Sequence, residues 1–104
     1  MRGEIYRLKA PRNARGHEQR GNRLCVVLQS DALPLSTWLV APTSTSALPA
    51  SFRPAIDVDG EPTLVLVEQV TAVDPERLGE RVGRLSNGAL QQLDHALKTV
   101  LDLY

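Results

Sequence analysis

The sequence has little cysteine, few aromatic side chains and no long apolar run. Cys25 is the one cysteine among 104 residues, which excludes an internal disulfide and a zinc site built from cysteine alone. Aromatic residues make up 4% of the chain, so the core must be aliphatic. No apolar run approaches the roughly 20 residues that cross a bilayer. Charges interrupt the opening MRGEIYRL, so we expect no secretory signal and a cytoplasmic location.

What is present is typical of one folded domain. Hydrophobic residues make up 42% of the chain and charged residues 23%, which are ordinary values for a globular protein. The sequence contains no internal repeat, low-complexity tract or linker. We therefore expect a single domain that spans residues 1–104.

Charge is balanced in total but unevenly distributed. Residues 1–24 carry seven basic and two acidic side chains, whereas the remaining 80 residues carry five basic and ten acidic ones. A chain divided in this way favours a surface that faces a polyanion. The alternative is that folding brings the basic and acidic parts together, so that their electrostatic fields cancel.

The hydrophobic pattern predicts a series of β-strands. We expect strands in EIYRLKA, RLCVVLQS, TWLVAPT, RPAIDV and TLVLVEQVTAV, and a further small strand in RVGRLS. Pro42 is expected to end the third strand, because proline has no donor for the ladder. Asp59-Gly60 predicts a hairpin turn. Residues 9–22 predict a long exposed loop rich in glycine and charge.

Helical signals come late in the chain. Asp74 as N-cap and Pro75 at the first position predict one short helical turn. Ser86 is a second cap, followed by one apolar stripe at helical spacing: Leu90, Leu93, Leu97, Val100 and Leu101. The predicted fold is mainly β with a C-terminal helix (α+β). It is a small, partly open β-barrel of about five to seven strands, with one short helix and one long amphipathic helix laid across it.

Several motifs occur in an order that resembles a known family. RGEIY near the start is followed by GHEQRGNRLCVVLQSD, then LVAPTST, then LVLVEQV with VDPERLGERVGRL, and a closing helix that ends in LDL. The most specific piece is G-x-E-Q-x-G-x-R leading into an apolar strand. Together these segments resemble the MazF/PemK-like toxins of bacterial toxin–antitoxin systems, essentially from end to end.

The resemblance implies an SH3-like β-barrel homodimer that cleaves single-stranded RNA, often at short sequence motifs, without a metal or other cofactor. It implies a cognate antitoxin whose acidic, disordered tail covers the active site. Arg23 and Thr43 correspond to the active-site arginine and threonine of the family, and Glu18 corresponds to its loop acid. Two positions depart from the family pattern: Leu24 replaces a proline, and His17 replaces a serine.

Metal-free RNA cleavage requires three roles, and these residues offer candidates for the base and for the phosphorane. The 2′-hydroxyl attacks its own phosphate, so a base must accept its proton, a cation must hold the phosphorane, and an acid must protonate the 5′-oxygen. Arg23 suits the phosphorane because its planar donors match phosphate oxygens in pairs. Thr43 can hold the phosphate or orient the 2′-oxygen. Glu18 is the candidate base, with His17 as a helper. The residues expected to bind RNA are Arg15, His17, Gln19, Arg20 and Gln69.

Other interpretations of the same residues remain open at this point. The same barrel also occurs in toxins that bind DNA gyrase and cut nothing, and a regulatory remnant without catalysis is a third hypothesis. Arg23 could be a strand-edge residue paired with Glu68. Thr43 could belong to an ordinary polar turn, and Trp38 could be core, dimer contact or a platform for a base. His95 is expected on the surface.

Overall fold

Antiparallel strands and a C-terminal helix make up the described part of the chain. The computed structural model describes residues 1–9 and 23–103. The strands are β1 (Glu4–Leu8), β2 (Leu24–Val27), β3 (Trp38–Ser44), β4 (Ala55–Val58), β5 (Glu61–Val65), β6 (Thr71–Val73) and β7 (Leu78–Arg84), followed by helix α1 (Asn87–Leu101). Two 3-10 turns, Val67–Gln69 and Pro75–Arg77, lie on either side of β6. Within the described ranges, no helix combines the length and apolarity needed to cross a bilayer. The predicted α+β class with a partly open barrel is confirmed.

Strand β3 is the centre of the sheet. The strand order is β4-β5-β3-β2-β1-β7, and β6 also pairs with β3. One edge of β3 pairs with β2 along Val40 to Pro42. The other edge is shared, because β6 pairs with Trp38 to Val40 and β5 pairs with Thr43 and Ser44. The two ends of β3 therefore belong to different parts of the barrel.

The segment TLVLVEQVTAV is not one strand, and that prediction was wrong. The chain leaves β5 after Val65, makes the first 3-10 turn, and returns as β6 on the same edge of β3. The backbone N–H groups of Gln69 and Val70 bond to the carbonyls of Leu66 and Val67. In an unbroken antiparallel register Val40 would face Glu68, but it pairs with Thr71, so the 3-10 turn takes up three extra residues between the two pairings.

Pro42 does not end its strand, contrary to the prediction. Strand β3 continues to Ser44, and Pro42 pairs with Cys25 of β2. The Pro42 carbonyl accepts a hydrogen bond of 2.8 Å from the Leu66 N–H. Proline lacks a donor but keeps its acceptor, and the neighbouring segment uses that acceptor.

The predicted turns and caps are present. Asp59 and Gly60 have φ angles of 53° and 83°, and the Asp57 carboxylate accepts a 2.7 Å hydrogen bond from the Gly60 N–H. These positive φ angles are those that a two-residue hairpin turn requires. Asp74 caps the second 3-10 turn through the Glu76 N–H at 2.9 Å. Ser86 caps α1 through the Ala89 N–H at 3.1 Å.

The sheet buries a different apolar cluster on each face. The cluster between one face and α1 contains nine buried residues, among them Val26, Ala41 and Val65 of the sheet and Leu93 and Ala96 of the helix. The opposite face contains four buried residues: Cys25, Val27, Val40 and Val73. Because alternate residues of β2 and β3 point to opposite faces, both strands are apolar along their central residues.

Substitution of Leu93 tests the packing of α1 on the sheet. Its side chain is fully buried, whereas Leu101 of the same helix is 51% exposed. Leu93→Ala should lower the free energy of unfolding by about 2–5 kcal/mol, because it opens a cavity in the core. Leu101→Ala is the control, with the same change in helix propensity and an expected effect of about 0.5 kcal/mol or less. Equal losses for the two variants in urea denaturation would contradict this packing.

Candidate active site

A pocket of about 580 Å³ lies where β2 begins and β3 ends. Three residues selected from the sequence line it: Arg23, Thr43 and Gln69. They come from three separate segments, namely the entry to β2, the end of β3 and the first 3-10 turn. Its volume lies within the roughly 300–1,000 Å³ typical of ligand sites.

The pairing of β2 with β3 brings Arg23 and Thr43 together. The register that sets Cys25 opposite Pro42 places Thr43 beside Leu24, the residue after Arg23. The Thr43 hydroxyl donates a hydrogen bond of 3.2 Å to the Leu24 carbonyl. Thr43 is 9% exposed, so its χ1 angle is held by both packing and this bond. The hydroxyl oxygen remains an acceptor for a ligand.

The Arg23 side chain is exposed at the pocket while its backbone is fixed. Its carbonyl accepts a 2.9 Å hydrogen bond from the Leu8 N–H, which ties it to β1. Its guanidinium forms no ion pair with any residue in the described ranges. The alternative pairing with Glu68 is not the one observed, because Glu68 binds Arg53. The Arg23 donors therefore face the pocket without a carboxylate partner among the described residues.

A second arginine of the pocket, Arg7, was not selected from the sequence. Residue Arg7 of β1 pairs with Leu24 of β2, so it lies next to Arg23. Its Nε approaches the Glu80 carboxylate at 3.4 Å, and 46% of the side chain is exposed. The sequence shows that residues 1–24 are rich in positive charge, but it does not show the register of β1 against β2 that brings Arg7 to the pocket.

Hydroxyl groups form one wall of the pocket beyond Thr43. Ser44, Thr45 and Ser46 line it in succession. The Ser44 hydroxyl accepts hydrogen bonds from the N–H groups of Ser46 (3.1 Å) and Ala47 (2.9 Å). The polar-turn interpretation therefore holds for Ser44, but this turn is also part of the pocket wall.

Two carboxylates at the β4–β5 hairpin also line the pocket, and sequence analysis missed them. Asp59 is in the turn, and Glu61 begins β5. The described part of the pocket thus carries two arginines and two acids, so its charge is divided rather than uniformly positive. Asp59 was visible as a turn residue, but no local signal indicated that the hairpin reaches the pocket.

An ion pair holds two walls of the pocket in place. Arg53 donates from Nε (3.0 Å) and Nη2 (2.6 Å) to Glu68 Oε2, and from Nη1 to the Leu48 carbonyl (2.8 Å). These bonds connect the segment after β3 with the turn that carries Gln69. Hydrogen bonding by Arg53 lowers the pKa of Glu68 below its ordinary 4.5.

The remaining candidates divide into two groups. Arg15, His17, Glu18, Gln19 and Arg20 lie outside the described residues. Trp38 is half-buried, packs against the cluster opposite α1 and meets Tyr6 edge to face at 6.3 Å. It is not one of the described residues that line the pocket. His95 is exposed on α1, as expected.

Among the residues that the structure describes, the lining of this pocket includes neither Cys25 nor a cluster of metal-ligating side chains. Burial raises the pKa of the Cys25 thiol to about 11, so it behaves as a small apolar residue. Among the residues that the structure describes, no group of three or more His, Cys, Asp or Glu side chains could hold a metal ion.

The fold is a small, partly open β-barrel with a pocket of this kind, and comparison with known proteins gives its class. The family described as the PemK-like, MazF-like toxin of type II toxin–antitoxin systems matches residues 1–101. A candidate toxin of Mycobacterium tuberculosis is 39% identical over 104 residues, covering 99% of this chain and 98% of the relative. The chain therefore belongs to the MazF/PemK family of type II toxins.

Solved structures share the fold at low sequence identity. The toxin MazF-mt6 of Mycobacterium tuberculosis gives a TM-score of 0.80 at 18% identity, covering 97% of this chain and 98% of that one. A mycobacterial endoribonuclease in complex with its cognate antitoxin gives 0.82 at 16% identity, with coverages of 100% and 96%. MazF of Deinococcus radiodurans gives 0.75 at 22% identity, with coverages of 96% and 94%.

The ion pair between Arg53 and Glu68 predicts a specific dependence on pH. Glu68→Gln should destabilise the protein at pH 7, because the neutral amide loses the charge-assisted bonds from Arg53. A carboxyl whose pKa is lowered by folding stabilises the fold above its unfolded pKa and loses this contribution as the pH falls. The difference in urea midpoint between wild type and variant should therefore shrink from pH 6 to pH 3. A difference that does not change with pH would contradict the ion pair.

Proposed function

We propose that this toxin is a metal-independent endoribonuclease that cleaves single-stranded RNA through attack by the 2′-hydroxyl. The observation that carries the proposal is the convergence of Arg23 and Thr43 on one pocket, although they are twenty positions apart in the sequence. Relatives described as endoribonucleases share the fold, which supports the same reaction class.

Arg23 is proposed to bind the scissile phosphate and the phosphorane formed from it. A guanidinium stays charged at any physiological pH and presents paired donors to two phosphate oxygens. Its freedom from ion pairs with described residues leaves those donors available. One positioned donor of this kind contributes about 3–4 kcal/mol to transition-state stabilisation.

Thr43 is proposed to orient the attacking 2′-hydroxyl. Because its own proton is donated to the Leu24 carbonyl, the free capacity of its oxygen is to accept a hydrogen bond. The 2′-hydroxyl of a ribose next to the Arg23-bound phosphate can supply that proton. This assigns Thr43 to the 2′-oxygen rather than to the phosphate, whose oxygens need donors.

Proton transfer and binding of the RNA strand are assigned to residues 15–20, which precede β2 in the sequence, and to Gln69. We infer that Glu18 accepts the proton of the 2′-hydroxyl, directly or through a water, with His17 as a helper. Arg15, Arg20, Gln19 and Gln69 would contact the neighbouring nucleotides. Each phosphate neutralised should steepen the salt dependence of binding by a slope of about −0.7.

The partners proposed for this chain are a second copy and an antitoxin. Related structures include a mycobacterial endoribonuclease with its cognate antitoxin and MazE–MazF complexes of Deinococcus radiodurans. We infer a homodimer that is inhibited when the acidic tail of its antitoxin covers the pocket. Carboxylates of such a tail would occupy the Arg23 guanidinium and exclude the RNA phosphate.

Arg23→Ala tests the assignment of the phosphate site. Wild type should cut mixed-sequence single-stranded RNA in EDTA, and the variant should lose about 100-fold or more of this activity while remaining folded. Arg84→Ala is the matched control, because Arg84 is exposed and lies outside this pocket. Undiminished cleavage by Arg23→Ala would remove the role proposed here. Intact RNA, together with growth arrest that depends on gyrase, would instead support the non-enzymatic alternative.

Two substitutions at Thr43 distinguish the role of its hydroxyl from the role of its shape. Thr43→Val keeps the branched side chain but removes the acceptor, and it should lower kcat by about tenfold or more. Thr43→Ser keeps the hydroxyl and should retain most of the activity. The two variants are compared by single-turnover cleavage, with circular dichroism to verify folding. Similar rates for valine and serine would show that the hydroxyl does not take part.

A further inference from the structure

The pocket carries opposite charges at its two ends. Arg7 and Arg23 belong to β1 and the entry to β2, whereas Asp59 and Glu61 belong to the β4–β5 hairpin. In the strand order, β3 separates β5 from β2, so the hairpin and the arginines reach the pocket from opposite sides of β3. A phosphate held by the arginines would be repelled at the acidic end. The carboxylates must therefore face another part of the ligand.

We propose that Asp59 and Glu61 recognise an RNA base that bears an exocyclic amino group and reject uracil. This inference rests on the proposed function, because it takes RNA as the ligand of the pocket. Carboxylates only accept hydrogen bonds. Cytosine, adenine and guanine present an amino donor at the Watson–Crick edge, whereas uracil presents two carbonyl oxygens around a single N–H. A carboxylate facing uracil meets at least one repulsive oxygen.

Side-chain hydrogen bonds fix the hairpin backbone that carries both carboxylates. The Asp57 carboxylate binds the Gly60 N–H at 2.7 Å and closes the turn that contains Asp59. Thr63 is 5% exposed and donates its hydroxyl to the Glu61 carbonyl at 3.1 Å. Neither Asp59 nor Glu61 forms an ion pair with a described residue. Acceptors that no described cation neutralises, carried on a fixed backbone, can discriminate between base edges, because only their side chains must be ordered on binding.

Apolar side chains of the pocket suit the face of a base. Leu24, Val58, Leu66 and Val82 line the pocket together with the polar groups. No aromatic side chain lines the pocket among the residues that the structure describes, so this described lining offers no ring on which a base could stack. Hydrogen bonding at the base edge is left as the source of discrimination there.

Base preference is measured by binding, so that it does not depend on cleavage. A pool of randomised single-stranded RNA in which fluorine replaces every 2′-hydroxyl has no nucleophile and stays intact. The pool is equilibrated with wild-type protein, and the bound fraction is sequenced. Uracil should be depleted about tenfold at one position, which is the discrimination expected of one good edge contact.

Variants at the hairpin decide whether the two carboxylates cause this depletion. The double variant Asp59→Asn, Glu61→Gln keeps the side-chain sizes, and asparagine tolerates the positive φ angle at position 59. It should reduce the depletion of uracil to less than twofold, because amides also donate to carbonyl oxygens. Glu76→Gln is the control, since Glu76 is exposed and lies outside the pocket, and it should keep the preference.

Two results would overturn the inference: equal binding of all four bases by wild type, or unchanged depletion of uracil in the double variant. Cleavage is assayed separately on the same pool with 2′-hydroxyls. A base preference without cleavage would overturn the nuclease mechanism and leave the base contact standing. A lack of any RNA binding would overturn both proposals together.

Discussion

The pairing of β2 with β3 is the constraint on which the site depends. It places Thr43 beside Leu24, and the hydrogen bond from the Thr43 hydroxyl to the Leu24 carbonyl joins the two strands at the pocket. Arg23 precedes this bond by one residue and is tied to β1 through its own carbonyl. A shift of this register by one residue would turn Thr43 to the opposite face of the sheet. The buried clusters on both faces prevent such a shift.

Ion pairs occupy several of the described arginines, whereas Arg23 forms none with a described residue. Arg2 binds Asp94, Arg53 binds Glu68 and Arg81 binds Glu4. The pairs Arg2–Asp94 and Arg7–Glu80 join the basic N-terminal segment to the acidic remainder, so folding does mix part of the two, as the alternative to a polyanion-facing surface supposed. Arg23 differs because the nearest carboxylates of its pocket come from the β4–β5 hairpin, across β3. The result is a site with separate places for a phosphate and for a hydrogen-bond donor.

Local chemistry made much of the fold predictable from the sequence. The hairpin at Asp59-Gly60, the Ser86 cap and the apolar stripe of α1 depend on residues close together in the chain. The break after Val65 and the continuation of β3 through Pro42 depend instead on which strands lie side by side. Such non-local pairing leaves no mark in a short window of sequence.

The residues of the candidate site also fall into those that the sequence indicates and those that only the strand pairing reveals. Arg23, Thr43 and Gln69 were selected from motif resemblance and residue chemistry, whereas Arg7, Asp59 and Glu61 reach the pocket through register and strand order. The most direct test of the central claim is a structure of this chain bound to single-stranded RNA that carries 2′-fluorine. A phosphate within hydrogen-bonding distance of the Arg23 guanidinium, with the adjacent 2′-position beside the Thr43 hydroxyl, is the predicted result. RNA bound on another face, with this pocket left empty, would contradict it.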